Sequence, residues 1–181
     1  DSMVMLRLLL DAAGHDVVRS MHFFVFDNDD EFDELREFRS KTCADLGVEV
    51  QTVYGDMKKG LYDVQKSSGI EGAFLGVRRG DPSGKWMKGL ITQTTEGWAP
   101  LTLFAPVLEW EHDEIWRFTH EARVPYCPLY REGYTSLGGR AATVRHPALF
   151  DPETQEYHPA WDLQPGEDER ANRNEEKAIK P

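Results

Sequence analysis

Three short segments carry the residue types that chemistry on anionic substrates requires. The first is Gly76-Val77-Arg78-Arg79-Gly80-Asp81-Pro82, directly after an apolar run of strand length. Two guanidinium groups can hold phosphate oxygens, and the glycines let a backbone come close. Asp81 precedes a proline and is held extended, a posture that suits a carboxylate meeting a metal ion or a substrate N–H. The second is Tyr134-Thr135-Ser136-Leu137-Gly138-Gly139-Arg140, which has the glycines, hydroxyls and arginine of an anion-binding nest. The third is Glu169-Arg170-Ala171-Asn172-Arg173, whose arginines face the same way if the stretch is helical. Taken singly, each has a bland alternative: a solvated charged turn, a turn that caps a helix, and a charged surface run.

The remaining reactive side chains are thinly spread. His22, His112, His120, His146 and His158 show no metal-ligand spacing and read as structural or surface residues. Cys43 and Cys127 lie far apart, which suggests neither a disulfide framework nor a zinc site and fits a reducing compartment. Most tryptophans read as packing residues, although Trp86 and Trp98 fall in a polar stretch where a ring can stack on a flat ligand. A formal charge of −11, from 21 basic and 32 acidic residues, argues against a nucleic-acid partner. No apolar run approaches the roughly 18 residues that span a bilayer.

The elements that must position these segments follow from periodicity. Met3, Leu6, Leu9, Leu10 and Ala13 recur at helical spacing before Gly14; Met21–Phe26 reads as a buried strand that ends at Asp27. Phe32, Leu35, Phe38 and Leu46 mark a second helix, Val48–Tyr54 alternates as a strand, Met57–Ser67 reads as a third helix, and Gly72–Val77 as another strand. Strands alternating with helices predict an α/β fold, a parallel sheet with helices on both faces, whose ligands sit at the carboxyl ends of the strands. Residues 78–101 read as a functional loop, Leu101–Leu108 as a strand interrupted by Pro106, and Asp113–Ala122 as a helix. The 181 residues are expected to form one domain, with a core over 1–150 and an irregular C-terminal extension over 151–181. Its end, Glu175–Pro181, has the composition of a disordered tail.

In order, these segments resemble the eukaryotic-type FAD synthase family, whose adenine-nucleotide alpha-hydrolase-like, Rossmann-like fold is shared with phosphoadenylyl-sulfate reductases. The resemblance rests on Gly55–Leu61, Gly76–Pro82, Pro125–Tyr130 with Gly133–Gly138, Thr143–Leu149, and Asp168–Arg170 with Arg173. It implies transfer of AMP from ATP to FMN with release of pyrophosphate, Mg²⁺ as the companion ion, and a cytoplasmic enzyme, an organelle being left open. Asp1 and Ser2 match the end of the family's S-x-G-G-K-D-S phosphate loop, so the chain is expected to be cut within it. Gly80 stands where the family more often has threonine.

The same resemblance assigns Asp1, Asp81, Arg170 and Arg173 to catalysis. It assigns Asp1, Ser2, Phe26, Asp27, Gly76, Arg78 and Arg79 to ATP. It assigns Asp81, Tyr134, Thr135, Ser136, Leu137, Gly138, Arg140, Arg170 and Arg173 to flavin. Whether Asp81 meets metal or flavin stays open, as does the oligomeric state. Two alternatives remain: a sulfur-transfer enzyme of the reductase type, which needs a catalytic cysteine near the C-terminus, and a nucleotide- or flavin-binding module without catalysis.

Overall fold

The structure is a computed structural model that describes residues 1–173; the expected tail, Glu175–Pro181, lies outside them. The chain folds into two compact units, one made of Asp1–Asp27 and Thr42–Trp110, the other of Asn28–Lys41 and the chain from Glu111.

In the first unit, α1 (Ser2–Ala13) ends at Gly14, as its apolar spacing predicts. A short helix that the sequence pattern did not disclose, α2 (His15–Arg19), comes directly after it. Five residues are too few to carry a helical period. Strand β1 (Phe23–Phe26) pairs in parallel with β2 (Val50–Val53), Phe26 opposite Val53. Met21 and His22, expected in that strand, precede it. Between them runs α3 (Asp33–Leu46), which starts in the second unit and ends in the first. Helix α4 (Met57–Ser68) begins at Asp56, whose carboxylate accepts from the Lys59 N–H, and stops at left-handed Gly69.

Strand β3 (Gly72–Phe74) pairs in parallel with β5 (Thr102–Phe104), which stops before Pro106. The expected loop 78–101 is partly ordered, because Ile91–Gln93 forms β4, antiparallel to β5 at the edge of this sheet. Both parallel pairs obey the predicted α/β pattern, and β4 adds one antiparallel edge to it. Three residues between polar turns leave no periodicity to read. The core joins these elements: Leu61, Ala99 and Leu101 pack with Phe24, Phe26, Ile70 and Leu103. A second cluster sets Met87, Ala105 and Leu108 against Val77.

In the second unit, α5 (His112–Glu121) starts with a reciprocal cap between Glu111 and Glu114 and buries Ile115 and Trp116. The rest is made of short turns and a hairpin, β6 (Phe150–Asp151) with β7 (Glu156–Tyr157). In its described part, residues 151–173, the C-terminal extension is built of short turns beside the β7 strand of that hairpin. Trp116 sits among the rings of Tyr126, Tyr130 and Trp161, each 5.2–5.3 Å away, as the packing expectation for tryptophan requires.

Candidate functional site

In the first unit, the end of β3 meets the start of α1. A methyl group at Gly76 would stand 2.5 Å from the Ser2 α-carbon and 2.6 Å from its nitrogen, so only glycine allows this approach. Arg78, 7% exposed, then reaches Asp1, with Nε donating to Oδ1 at 2.9 Å. Asp81 closes the turn that carries both arginines. Its Oδ2 accepts from the Arg78 N–H at 2.8 Å, and its own N–H donates to the Arg78 carbonyl at 3.0 Å. Asp1, Ser2, Gly76 and Arg78 are thus brought together at the first turn of α1, while Asp81 holds the turn that carries Arg78. The N–H groups of a first helical turn have no intrahelical acceptor and, with the helix dipole, favour an anion there.

Arg79 behaves differently from its neighbour. Its guanidinium bridges both carboxylate oxygens of Glu109 at 2.5–3.1 Å and donates to the Met87 carbonyl at 2.5 Å. Hydrogen bonding to Arg79 holds the Glu109 carboxyl below the usual carboxylate range. These bonds fasten the 78–87 turn. Phe26 and Asp27 close the other parallel pair: Asp27 extends its ladder by donating to the Val53 carbonyl at 2.8 Å, while the Phe26 ring is part of the core. Trp98 packs in that core with Lys58 above its ring, whereas Trp86 is 63% exposed.

The second unit gathers most of the residues expected at flavin, while Asp81 belongs to the first. Thr135, buried, donates from Oγ1 to the Glu169 carbonyl at 2.7 Å. Arg173 donates from Nη1 to Ser136 Oγ at 3.2 Å, and a methyl group on Gly138 would overlap its guanidinium. Thr143 and Arg173 form an isolated antiparallel bridge beside them. The segment Asp168–Arg173 is not a helix: successive turns close through Ala171 N–H to the Asp168 carbonyl and Arg173 N–H to the Arg170 carbonyl. Asp168 starts the first turn by accepting from the Arg170 N–H, the local bond that competes with helix formation.

Several of the residues expected at flavin also make packing or pairing contacts. The Leu137 side chain joins the core of Phe32, Cys127 and Leu129. The Tyr134 ring meets Phe32 edge-on, 5.4 Å away, and has the Arg145 guanidinium over it at 6.0 Å. Arg140 pairs with Asp33 at 2.9 Å, and its hydrogen bond holds the Asp33 carboxyl below its ordinary value.

Three residues without a recognisable sequence signal of their own hold this cluster in place. Asp30 accepts from the Ala141 N–H through Oδ2 and from the Arg140 N–H through its carbonyl. His146, 1% exposed, accepts from the Ala148 N–H at Nδ1 and therefore donates from Nε2 to the Asp168 carbonyl at 2.9 Å. Asn172, fully buried, donates from Nδ2 to the carbonyls of Ser136 and Val144. His146 lies within one of the segments that carry the resemblance and Asn172 beside another, which was the one available signal.

Among the described residues, no group of three or more His, Cys, Asp or Glu side chains is placed to hold a metal ion. Asp1 and Asp81 are carboxylates, hard oxygen donors of the kind a divalent cation takes. Cys127 is buried, and burial pushes its thiol above the ordinary cysteine value, the opposite of what a nucleophilic thiolate needs. Cys43 and Cys127 form no disulfide. No helix among the described residues is long and apolar enough to cross a membrane.

Known proteins resemble the chain in sequence and in fold. The phosphoadenosine phosphosulfate reductase domain family matches residues 56–145. The chain is 34% identical over 176 residues to the probable FAD synthase of Caenorhabditis briggsae, a match that covers 94% of this chain and 33% of that protein. It is 35% identical over 146 residues to the probable FAD synthase of Schizosaccharomyces pombe, covering 80% of this chain and 54% of the relative. The chain thus spans between a third and about half of the length of these relatives. Its fold is that of Candida glabrata FMN adenylyltransferase in complex with ATP, with a TM-score of 0.82, 22% identity, and coverage of 96% of this chain and 75% of that one.

Proposed function

We propose that the chain is the catalytic part of an FMN adenylyltransferase of the eukaryotic-type FAD synthase family, a reading supported by its likeness to the probable FAD synthases and by the match to the phosphoadenosine phosphosulfate reductase domain. In the reaction, an FMN phosphate oxygen attacks the α-phosphorus of ATP. The new P–O bond forms as the bond to the bridging oxygen breaks, giving FAD and pyrophosphate.

The observation that carries this reading is the close approach of Gly76 to Ser2, with Arg78 delivered to Asp1 at the first turn of α1. A helix N-terminus, a buried guanidinium and two carboxylates gathered beside a strand end are groups that can hold a triphosphate and its ion. Catalysis between two anions then consists mainly of alignment and charge neutralisation. Arg78 fixes Asp1, while Asp81 fixes the turn that leads into it. Arg79 acts as a fastener of that turn. Arg170 and Arg173, on the turns packed against Ser136 and Gly138, are the cationic groups assigned to the flavin and phosphate side. Asp1 and Asp81 are the carboxylates that would be available to a Mg²⁺ ion arriving with the nucleotide, which would supply further charge neutralisation.

A sulfur-transfer chemistry finds no support in Cys127, which is buried with its protonated form favoured. Thiols outside any disulfide support a cytoplasmic setting for the enzyme.

The test is FAD formation from FMN and ATP with Mg²⁺ by the chain preceded by an S-x-G-G-K segment. FAD well above the enzyme-free rate is expected. Absence of FAD while both substrates bind overturns the reading.

A further inference from the structure

His112 has acceptors on both sides of its ring. Nε2 lies 2.8 Å from the Ala160 carbonyl oxygen, and Nδ1 lies 3.3 Å from Glu169 Oε2. A carbonyl only accepts, so Nε2 carries a proton. The Glu169 carboxyl stands at ion-pair distance from the other ring nitrogen. His146 makes the opposite arrangement, as a neutral ring whose Nε2–H holds the Asp168 carbonyl. Consecutive residues, Asp168 and Glu169, are therefore held by two histidines from different parts of the second unit.

Arg170 is the next residue in the chain. The turns of Asp168–Arg173 are anchored to the rest of the second unit at each end. Downstream the anchor is Asn172, bonded to Ser136 and Val144. Upstream it is Glu169, gripped by Thr135 at its carbonyl and by His112 at its side chain. His112 is a firm mount, since it opens α5 beside the Glu111–Glu114 capping box and its ring packs edge-on to Trp116 at 6.3 Å.

We propose that His112 is a positioning residue for Arg170 and Arg173, which it orders through a side-chain latch to Glu169. The catalytic part of this proposal rests on the adenylyltransferase reading; the ordering part does not. Glu169→Gln is the conservative rescue. Its amide donates to Nδ1 of a neutral His112 whose Nε2–H stays on Ala160, so the latch survives without the acid.

The experiment compares amide hydrogen exchange over 168–173 with steady-state kinetics in His112→Ala, Glu169→Ala and Glu169→Gln, each in the chain carrying the S-x-G-G-K segment. Both alanine variants are expected to exchange these amides at least about tenfold faster while the first unit keeps its protection. Both lower kcat at least about tenfold with KM for ATP within about twofold, and Glu169→Gln stays within about threefold of the parent in both readouts. Unchanged exchange in His112→Ala overturns the proposal. So does unchanged kcat, or a glutamine variant as damaged as the alanine one. A parent that forms no FAD overturns the adenylyltransferase reading instead, and exchange alone then decides the latch.

Discussion

The two units build their candidate surfaces by different means. Around Asp1 and Gly76, regular elements do the positioning: a strand end is pressed against a helix start, and one buried ion pair completes the arrangement. Around Ser136 and Arg173 the chain itself runs through turns and short 3-10 segments, tied by side chains to carbonyls. Thr135, His146 and Asn172 each supply such a tie. Steric fit guards the first region, whereas individual hydrogen bonds guard the second. Added volume should therefore injure the first most, and lost donors the second.

The largest effect is expected from Asn172→Ala, which strands two carbonyls and removes a fully buried side chain. The cost should be about 3 kcal/mol, read from equilibrium urea unfolding. A cost below about 1 kcal/mol would show that the turns do not depend on that tie and would erase the contrast. Next comes Gly76→Ala, whose methyl group meets backbone atoms of Ser2 that cannot swing away. Overpacking of this kind costs about 1–3 kcal/mol, whereas Gly80→Ala, with nothing within 4 Å of its new carbon, should stay within about 0.5 kcal/mol. Equal stability of the two alanine variants would break the steric half of the comparison.

The same division explains what the sequence disclosed. Helices α1, α3, α4 and α5 and the strand cores of β1, β2, β3 and β5 were legible because each stands out as a periodic or continuous apolar run. Helix α2 and strand β4 are too short to repeat anything. The 76–81 turn was legible as chemistry because it comes directly after a strand. Nothing local marked Asn172 or His146 as a hydrogen-bonding tie, since an asparagine between arginines or a histidine before a proline carries no period. Asp168–Arg173 looked like a helical charge run because spacing alone cannot register that the Asp168 side chain takes the Arg170 N–H. Arg78 and Arg79 are adjacent and of one type, yet only Arg78 turns inward to Asp1, while Glu109, far along the chain, holds Arg79.

Acid sharpens the comparison at smaller amplitude. Glu31 lies on the second unit, where its backbone bridges Gly139 and its carboxylate is held by both terminal nitrogens of Arg39. Hydrogen bonding to Arg39 is the main cause that keeps this carboxyl below its ordinary 4.5. A carboxyl depressed in the folded state binds fewer protons than in the unfolded chain. Its contribution is thus present above the unfolded value and lost as pH falls through the lower folded one. Glu31→Gln should cost less than about 1 kcal/mol near neutrality, and the difference from the parent should shrink as pH falls below about 4 and vanish once the folded carboxyl is protonated. A difference that persists unchanged into acid would assign the effect to packing rather than charge.

Gly138→Ala should have the smallest effect on stability, although its methyl group falls directly on another group. What it meets is the guanidinium of Arg173, the far end of a flexible side chain, so the arginine can move where the Ser2 backbone cannot. Unfolding free energy should change by less than about 0.5 kcal/mol. The displaced guanidinium must leave Ser136 Oγ, however, and with it the placement assigned to Arg173 at the flavin. Weaker FMN binding at unchanged stability, read from flavin fluorescence titration beside urea unfolding, would show that Gly138 is there to seat Arg173. Loss of stability as large as that of Gly76→Ala would instead mean that Arg173 is as rigidly built in as the backbone of α1, and the two regions would no longer differ in kind.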